Sequence, residues 1–208
     1  MQLQNYYYWF KDAIPHHVCD DIVRYAKSIQ DEMAVTGGLG NRKLNKKEVQ
    51  DLKKKRDSDI VWLNERWIYN AIHPYIHAAN KDANWNFEWD FSESCQFTKY
   101  KKGQYYDWHC DSWDRPYHKP EDPNSHGKQR KLSVTLSLSD DKDYSGGELE
   151  FDMRNLDPDK KANTHVLKEI RSKGSLVVFP SDVWHRVKPV KRGVRHSLVI
   201  WNLGYPFK

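Results

Sequence analysis

Residues 94–111, SCQFTKYKKGQYYDWHCD, contain two stretches of strand-forming residues around a glycine-containing turn. The predicted strands cover residues 94–100 and 105–111, and the second one ends in two side chains that can ligate a metal. Successive side chains of a β-strand point to opposite faces, so residues two apart share a face. His109 and Asp111 should therefore point into one cavity. This stretch predicts a β-fold with a metal site at the end of a strand.

Six further short segments have the same strand-forming character, and Gly, Pro and Asp residues separate most of them. They are residues 85–91, 131–138, 148–151, 175–179, 183–187 and 194–202. Eight short strands without intervening helices predict an all-β core of two packed sheets. The absence of strand–helix alternation argues against a parallel βαβ sheet.

The N-terminal part of the chain has helical periodicity instead. A first helix, with Pro15 in its first turn and Gly37 to Gly40 after its end, is predicted from the spacing of Val18, Ile22, Ala26, Ile29 and Met33. A lysine-rich stretch follows, in which Asn45 and Glu48 could cap a short helix. A further helix should begin at Asn64 as N-cap and carry Trp67, Ile68, Ile72 and Ile76. Pro74 is expected to kink this helix or end it early.

A second histidine completes the candidate metal site. His185 follows a buried strand and a turn, a route that can return a side chain to the mouth of a barrel. Two histidines and one carboxylate can occupy one face of a metal and leave the opposite positions open, as in mononuclear iron(II) oxygenases. Arg195 and Ser197 are again two apart on a predicted strand. A guanidinium and a hydroxyl on one face can bind the carboxylate of an acidic co-substrate.

The composition is that of a polar-surfaced globular protein. The 208 residues are 38% hydrophobic and 30% charged, which suits one domain with a sizeable core. The net charge of +5 is modest. The tightest basic run, residues 53–56, is flanked by aspartates, and we interpret it as a solvated helix end or loop. Without a concentrated basic face, the sequence argues against a nucleic-acid partner.

Cysteine usage and the N-terminal residues indicate a cytoplasmic, soluble protein. Cys19, Cys95 and Cys110 are odd in number and lack the spacing of a metal knuckle or redox pair, which fits a reducing compartment. The first residues have neither a basic start nor an apolar run, so we expect no secretory signal. No stretch is apolar for the roughly 20 residues of a membrane span, so we expect no membrane partner.

These residues, with residues 100–111 and the Gly146-Gly147-Glu148-Leu149 segment, make the chain resemble the prolyl-4-hydroxylase-like branch of the 2-oxoglutarate/iron(II) dioxygenases. The resemblance covers roughly residues 94–204 and is looser over the helical N-terminal part. It implies a double-stranded β-helix (jelly-roll, cupin-like) core flanked by N-terminal helices, mainly β overall. One domain would span residues 1–208, with helical support and a mobile loop to about residue 84 and the jelly roll from about residue 85.

The resemblance also assigns roles to particular residues. It implies that His109, Asp111 and His185 ligate iron, with no catalytic side chain beyond the metal centre. The co-substrate residues would be Arg195, which pairs with the far carboxylate of 2-oxoglutarate, Ser197, Tyr100 and Thr135. Tyr106 and Trp201 would border the substrate. Ser137 lies where the family often has a larger residue, commonly tyrosine, so this pocket could be roomier than usual.

The implied reaction is hydroxylation of a protein or peptide substrate, with proline as the leading target. Fe(II) would be the metal, 2-oxoglutarate and O2 the co-substrates, and ascorbate a reductant that maintains Fe(II). Alternatives keep the same chemistry on a lysyl side chain, another side chain or a small metabolite. A non-catalytic binding module that retains its metal, and a nucleic-acid demethylase, are further alternatives. The sequence does not predict the oligomeric state.

Some residues have a structural interpretation beside the functional one. Tyr100, Tyr106 and Trp201 could be packing aromatics, in a chain that has nine Trp and twelve Tyr. We interpret His73 and His77, and the loop histidines His118, His126 and His165, as solvent-exposed residues without a metal role. The long polar segments 36–59 and 112–129 could be loops that close over the site or surface insertions.

Overall fold

The computed structural model describes residues 5–29, 32–33, 51, 53–112, 114–154 and 161–206. Within these ranges the chain forms two long helices, α1 (His16–Ser28) and α2 (Arg66–Asp82), a helical segment at 53–55, and fifteen strands. The strands are β1 (Tyr8–Phe10), β2 (Glu32–Met33), β3 (Arg56–Asp57), β4 (Asp59–Leu63), β5 (Phe91–Ser92), β6 (Cys95–Tyr100), β7 (Tyr105–His109), β8 (Gln129–Ser137), β9 (Tyr144–Gly146), β10 (Leu149–Asp152), β11 (Thr164–Val166), β12 (Leu176–Pro180), β13 (Trp184–Val187), β14 (Val190–Gly193) and β15 (Arg195–Gly204).

Two antiparallel sheets form the core. The large sheet has the order β1-β12-β8-β15-β6-β4-β2, with β5 paired to β15. The small sheet has the order β11-β10-β13-β7-β3, and β9 pairs with β14 separately. Strands distant in sequence are neighbours in both sheets, as expected for a jelly roll. The prediction of a mainly β, double-sheet fold with N-terminal helices is confirmed.

The two helices cover the outer face of the large sheet. Helix α2 buries Ile68, Ile72, Ile76 and Ala79, which recur at helical spacing on one side. Helix α1 buries Cys19, Ile22 and Ala26 in the same hydrophobic cluster. Residues that alternate along β8 and β15, including Val134, Leu136, Leu198 and Ile200, form the sheet's side of this cluster.

A second hydrophobic cluster lies between the two sheets. Phe151 and Val187 from the small sheet pack near Val177 and Phe179 from the large sheet. The opposite face of β8 carries polar side chains into the same space, because alternate residues of a strand point to opposite sides. The inner space therefore combines an apolar base with hydroxyl and charged groups.

The helix predictions were right in position and wrong in several details. Helix α1 ends at Ser28, and Met33 lies in β2, so the predicted continuation of the helix was wrong. The N-cap of α2 is Glu65 and not Asn64. Pro74 does not end α2, which continues to Asp82. Burial of isoleucines on both sides of the proline outweighs the loss of one hydrogen bond.

The strand predictions differed from the structure mainly around residues 85–91. Asn84 and Asn86 have φ values of 59° and 51°, which interrupt an extended chain, so only Phe91–Ser92 forms a strand there. The strands β1, β2, β3, β9, β11 and β14 were not predicted, because two to four residues are too few to show alternation. The predicted short helix near Asn45 and most of the segment 36–59 lie outside the described residues.

Cys19 and Cys95 are buried free thiols, and Cys110 is a partly exposed one. Among the described residues, no helix has both the length and the apolar character needed to cross a membrane. His77, His118, His126 and His165 are solvent-exposed, whereas His73 is half-buried. His73 stacks edge-on against Trp89 and lies 3.1 Å from the Ser92 hydroxyl, so it is a packing residue.

Candidate metal centre

His109 and His185 lie side by side on two paired strands of the small sheet. His109 is the last residue of β7, and its Cα partner on β13 is His185. The ring centroids are 4.2 Å apart. Asp111 follows two residues after His109, where its backbone N–H donates to the Ser181 carbonyl at 2.8 Å and fixes the chain after the strand.

The three side chains converge on one point. His109 Nε2 is 3.8 Å from Asp111 Oδ1, and His185 Nε2 is 3.6 Å from Asp111 Oδ2. The candidate ligand atoms all lie within 4.8 Å of one another. No other group of three or more such side chains occurs among the residues that the structure describes. The prediction that these three residues come together is confirmed.

Both imidazoles are oriented by backbone carbonyls. His109 Nδ1 lies 2.7 Å from the Asp107 carbonyl oxygen, and His185 Nδ1 lies 2.9 Å from that of Val183. A carbonyl oxygen can only accept, so each Nδ1 must carry the proton. Each Nε2 then has a free lone pair directed at the centre, which is the usual arrangement of histidines that ligate metals.

The electrostatics of the site keep the ligands ready to bind a cation. Burial and the neighbouring His185 lower the pKa of His109 to about 3, so its ring is neutral. Burial alone would raise the pKa of Asp111, but the two histidines, Arg130 and the Ser133 hydroxyl together lower it below its ordinary value. The carboxylate is therefore ionised at neutral pH.

An unpartnered atom tests whether these residues fit a metal. Asp111 Oδ2 is buried and has no hydrogen-bond partner within the described part of the chain. A buried carboxylate oxygen without a donor is costly. Two imidazoles whose Nε2 atoms face the centre and one carboxylate, with that oxygen directed at an imidazole Nε2, are a suitable donor set for a divalent first-row metal. The residues fit Fe(II).

Arg195 and Ser197 share the inner face of β15 as predicted. Arg195 is 3% exposed, and its Nη1 donates to the Ser197 hydroxyl at 3.1 Å. Tyr100 is the Cα partner of Arg195 on β6, and the guanidinium lies 5.5 Å from the tyrosine ring centroid. Among the described residues, no carboxylate forms an ion pair with Arg195. A buried guanidinium in this position can receive an anion.

Thr135 lies at the centre of the inner face of the large sheet. It is buried, and its Cα partners are Val177 on β12 and Val199 on β15. Ser133 and Ser137 flank it on the same strand and are also buried. The Ser137 hydroxyl donates to backbone carbonyls at 3.4 Å. A row of small hydroxyl side chains therefore lines the floor between Arg195 and the three ligands.

Tyr106 reaches the metal side of β7 through an irregularity in the strand. Regular alternation would place residues three apart on opposite faces. The pairing of β7 with β13 shifts between His109 and Tyr106, as in a β-bulge, and the two rings stack with centroids 3.5 Å apart. Burial raises the pKa of Tyr106 to about 12, so the hydroxyl stays protonated. Tyr106 therefore borders the candidate ligands.

Trp201 also faces the site, and it has an unsatisfied donor. It is 6% exposed, and its indole Nε1 is buried without a hydrogen-bond partner in the described residues. The Arg130 guanidinium lies 3.9 Å from its ring centroid. An orphan N–H beside the candidate centre marks a place where an acceptor on a bound molecule would be favourable.

Two arginines near the site were not singled out from the sequence. Arg130 donates from Nε to Glu93 at 2.7 Å and approaches the Asp111 carbonyl oxygen at 3.5 Å, so it joins Trp201 to the ligand segment. Arg56 was interpreted as part of a solvated run, and for this residue the interpretation was wrong. Residues 53–55 are exposed, but Arg56 is 5% exposed because it belongs to β3 and points inward. One buried residue at the end of an exposed charged run produces no hydrophobic periodicity, so its burial could not be recognised from the sequence.

Comparison with known proteins agrees with this geometry. The family described as the 2OG-Fe(II) oxygenase superfamily matches residues 95–202, which run from β6 to β15 and include all three candidate ligands and Arg195. This segment is more than half of the chain.

Relatives with similar sequences are named PKHD-type hydroxylases. One from Pseudoalteromonas atlantica is 33% identical over 108 residues, which is 51% of this chain and 41% of the relative. One from Synechococcus sp. is 38% identical over 104 residues, 50% of this chain and 38% of the relative. The matched segments thus span about 40% of the length of these relatives.

Solved structures with the same fold include two prolyl hydroxylases. The viral collagen prolyl hydroxylase from Paramecium bursaria Chlorella virus-1 superposes with a TM-score of 0.63 at 19% identity, over 97% of both chains. A Pseudomonas putida prolyl-4-hydroxylase gives a TM-score of 0.63 at 19% identity, over 96% of this chain and 92% of the other. At this identity the likeness establishes the jelly-roll fold.

Proposed function

The chain belongs to the 2OG-Fe(II) oxygenase superfamily, and from this premise we propose that it hydroxylates a protein or peptide substrate, with proline as the leading target. The observation that carries the proposal is the convergence of His109 with the buried Asp111 and His185, together with a buried Arg195 that forms no ion pair with a described carboxylate. This set offers one place for a metal and a second place for an anion. When bound, Fe(II) and 2-oxoglutarate would supply oxidising power from O2, with succinate and carbon dioxide as co-products.

The co-substrate would be held by residues of the large sheet. In this proposal Arg195 and Ser197 bind the far carboxylate of 2-oxoglutarate, and Tyr100 adds its hydroxyl. Their burial strengthens such charged hydrogen bonds, which are worth about 1.5–3 kcal/mol each. Thr135 would form the floor between this clamp and the ligands. The small side chain of Ser137 leaves room beside the clamp.

The substrate would lie on the side of Tyr106 and Trp201. Tyr106 keeps its hydroxyl proton and can donate, and the orphan indole N–H of Trp201 can donate to a substrate carbonyl. Both rings exclude water from the ligands. This placement supports a substrate-binding role for both residues over the alternative that they only pack in the core.

An open groove next to Trp201 favours a chain-like substrate over a compact metabolite. A cavity of about 300 Å³ lies beside Arg130 and is lined in part by Trp62, Phe91 and Glu93. Trp62 is 45% exposed, and its ring centroid is 6.2 Å from that of Trp201. Residues next to the hydroxylated position in the peptide could extend along this groove. A solved structure with the same fold, a prolyl hydroxylase from Trichoplax adhaerens, is a complex with a peptide fragment.

The decisive experiment measures succinate formation and substrate oxidation together. Protein loaded with Fe(II) without oxygen would receive 2-oxoglutarate, ascorbate, O2 and proline-containing peptides. We expect succinate and a peptide heavier by one oxygen atom from the wild type and neither from Asp111→Ala. Asp82→Ala, which removes an exposed carboxylate on α2, is the matched control and should behave as wild type.

Each other outcome has a definite meaning. Equal succinate from wild type and Asp111→Ala would contradict the assignment of the metal ligands. Succinate without oxidation of any peptide would contradict the peptide assignment and favour a metabolite. Binding of iron and 2-oxoglutarate with no turnover on any substrate would favour the non-catalytic binding module.

A further inference from the structure

Arg56 is a buried cation between the two sheets whose hydrogen-bond partners are all neutral. Its Nε donates to the Ser58 hydroxyl at 3.0 Å, and its Nη2 donates to Gln96 Oε1 at 2.5 Å. A guanidinium has five N–H donors, so three remain, including both on Nη1. Within the described part of the chain, no carboxylate forms an ion pair with Arg56. Its positive charge is therefore uncompensated by these residues.

Two other basic side chains in this part of the fold have carboxylate partners. Arg130 pairs with Glu93 at 2.7 Å, and Lys128 pairs with Asp90 at 2.7 Å. Arg195 has no such partner, but the proposed function assigns it the far carboxylate of 2-oxoglutarate. Buried charges in proteins are normally paired. Arg56 is thus left with a charge that neither the described residues nor the proposed co-substrate neutralises.

The position of Arg56 places this charge beside the candidate metal centre. Its guanidinium lies 4.6 Å from the ring centroid of Tyr106, and Tyr106 stacks on the candidate ligand His109. Its partner Gln96 belongs to the inner face of β6, so the side chain of Arg56 bridges from the small sheet to the large one. The site therefore has one guanidinium next to Tyr106 and a separate one at Arg195.

Arg56 and Arg195 are anchored on different residues of the inner face: Arg56 Nη2 donates to Gln96, and Arg195 Nη1 donates to Ser197. On β15, the Cα partner of Gln96 is Val199 and that of Tyr100 is Arg195. The anchors are not the same: Ser197 is the Cα partner of Thr98, and the Thr98 hydroxyl lies 3.4 Å from Gln96 Oε1, so the two guanidiniums face one cavity from different residues. A single co-substrate carboxylate at Arg195 would leave Arg56 available.

We propose that Arg56 forms a second anion subsite, which binds a carboxylate of the primary substrate. The inference rests on the proposed function for the assignment of the first anion to Arg195. One uncompensated positive charge matches a singly charged carboxylate, and a guanidinium presents its N–H groups in a planar fork suited to that group. The substrate would then be the C-terminal residue of a peptide or a small N-acyl amino acid.

Binding without turnover tests this subsite directly. Wild-type protein loaded with Zn(II), which does not change oxidation state, and with 2-oxoglutarate would be titrated by calorimetry with paired probes. The pairs are N-acetylproline against N-acetylprolinamide, and a proline-ending tetrapeptide acid against its C-terminal amide. We expect each acid to bind about tenfold or more tightly than its amide. Whichever of the two acids has the lower Kd shows whether a peptide or a small molecule is preferred.

Variants separate charge recognition from a structural role of Arg56. Arg56→Gln should reduce the acid-over-amide ratio to near one, and Arg56→Lys should retain part of it. Arg192→Gln, which changes an exposed arginine on β14, should keep the wild-type ratio. Because both probes in a pair meet the same protein, general damage to the site weakens both and leaves the ratio unchanged.

Two results would overturn the proposal. One is equal binding of acid and amide by the wild type, a result that does not depend on any variant folding. The other is equal weakening of acid and amide by Arg56→Gln, which would make Arg56 a structural brace. Failure of the proposed function would give a different result. The Fe(II)-loaded protein would then form no succinate, while the acid would still bind more tightly than the amide. That outcome would contradict the oxygenase activity and support the subsite.

Discussion

Tyr106 lies flat against His109, with ring planes inclined by only 14°. The irregular pairing of β7 with β13 makes this contact possible between residues three apart. The tyrosine ring therefore restricts rotation of the imidazole, and the Asp107 carbonyl fixes its tautomer.

Removing this ring should weaken metal binding. We expect Tyr106→Ala to raise the Kd for Zn(II) or Co(II) by about tenfold, the usual effect of losing a group that orients a ligand. Tyr106→Phe keeps the stacking ring and should bind the metal as wild type does. Competition with a chromogenic chelator measures both. Equal loss in the two variants would mean that the hydroxyl, and not the stacking, matters.

Arg195 should control affinity for 2-oxoglutarate. Arg195→Gln removes a buried charged donor, so we expect the Kd for 2-oxoglutarate to rise by about tenfold to a hundredfold. Ser197→Ala removes one neutral partner of the guanidinium and should have a smaller effect. Calorimetry on the Zn(II)-loaded protein provides the values. Unchanged affinity in Arg195→Gln would contradict the co-substrate assignment.

Trp201→Phe tests the orphan indole N–H. The substitution keeps an aromatic ring beneath Arg130 and removes the unpartnered donor. We expect KM for the substrate to rise severalfold with little change in kcat, because the lost hydrogen bond contributes to binding. Steady-state kinetics distinguishes the two constants. A fall in kcat alone, with KM unchanged, would indicate a role other than substrate binding.

Acid should destabilise the metal-free protein through His109. Its pKa is about 3 in the folded state, against about 6.5 in the unfolded chain. The unfolded chain therefore binds more protons between these values, and stability falls as pH decreases from about 6.5 toward 3. The loss from this residue is at most about 5 kcal/mol. Urea unfolding of chelator-treated protein should show a shallower pH dependence for His109→Gln than for wild type, and parallel curves would contradict this.

The contact of α2 with the large sheet should contribute to stability without determining metal binding. Ile72 is fully buried, and we expect Ile72→Ala to lower the free energy of unfolding by about 2–5 kcal/mol. Asn70→Ala, on the exposed side of the helix, should change it little. Both variants should bind Zn(II) with wild-type affinity while folded. A large loss of affinity in Ile72→Ala would show that the helix positions the ligands.

The β-sheets and the three ligands could be predicted because their signals are local. Alternation within a strand places Arg195 with Ser197, and the same two-residue spacing identified His109 and Asp111, although β7 ends at His109 and the Ser181 carbonyl positions Asp111. The Tyr106 contact follows from a strand irregularity, and the burial of Arg56 follows from its pairing with β7. Both depend on contacts between strands distant in sequence, which periodicity does not encode. The early stop expected at Pro74 was wrong for the same reason, since tertiary packing sustains α2 beyond it.

The direct pairing of His109 with His185 has a consequence for how the protein matures. The first ligand segment leaves the ribosome long before β13, and the sheet that aligns the two imidazoles needs both strands. A nascent chain that ends before residue 185 therefore has only two of the three candidate ligands. Metal capture should be a late event in biosynthesis, so that the protein acquires its redox-active ion only when the surrounding β-sheets are already in place to contain it.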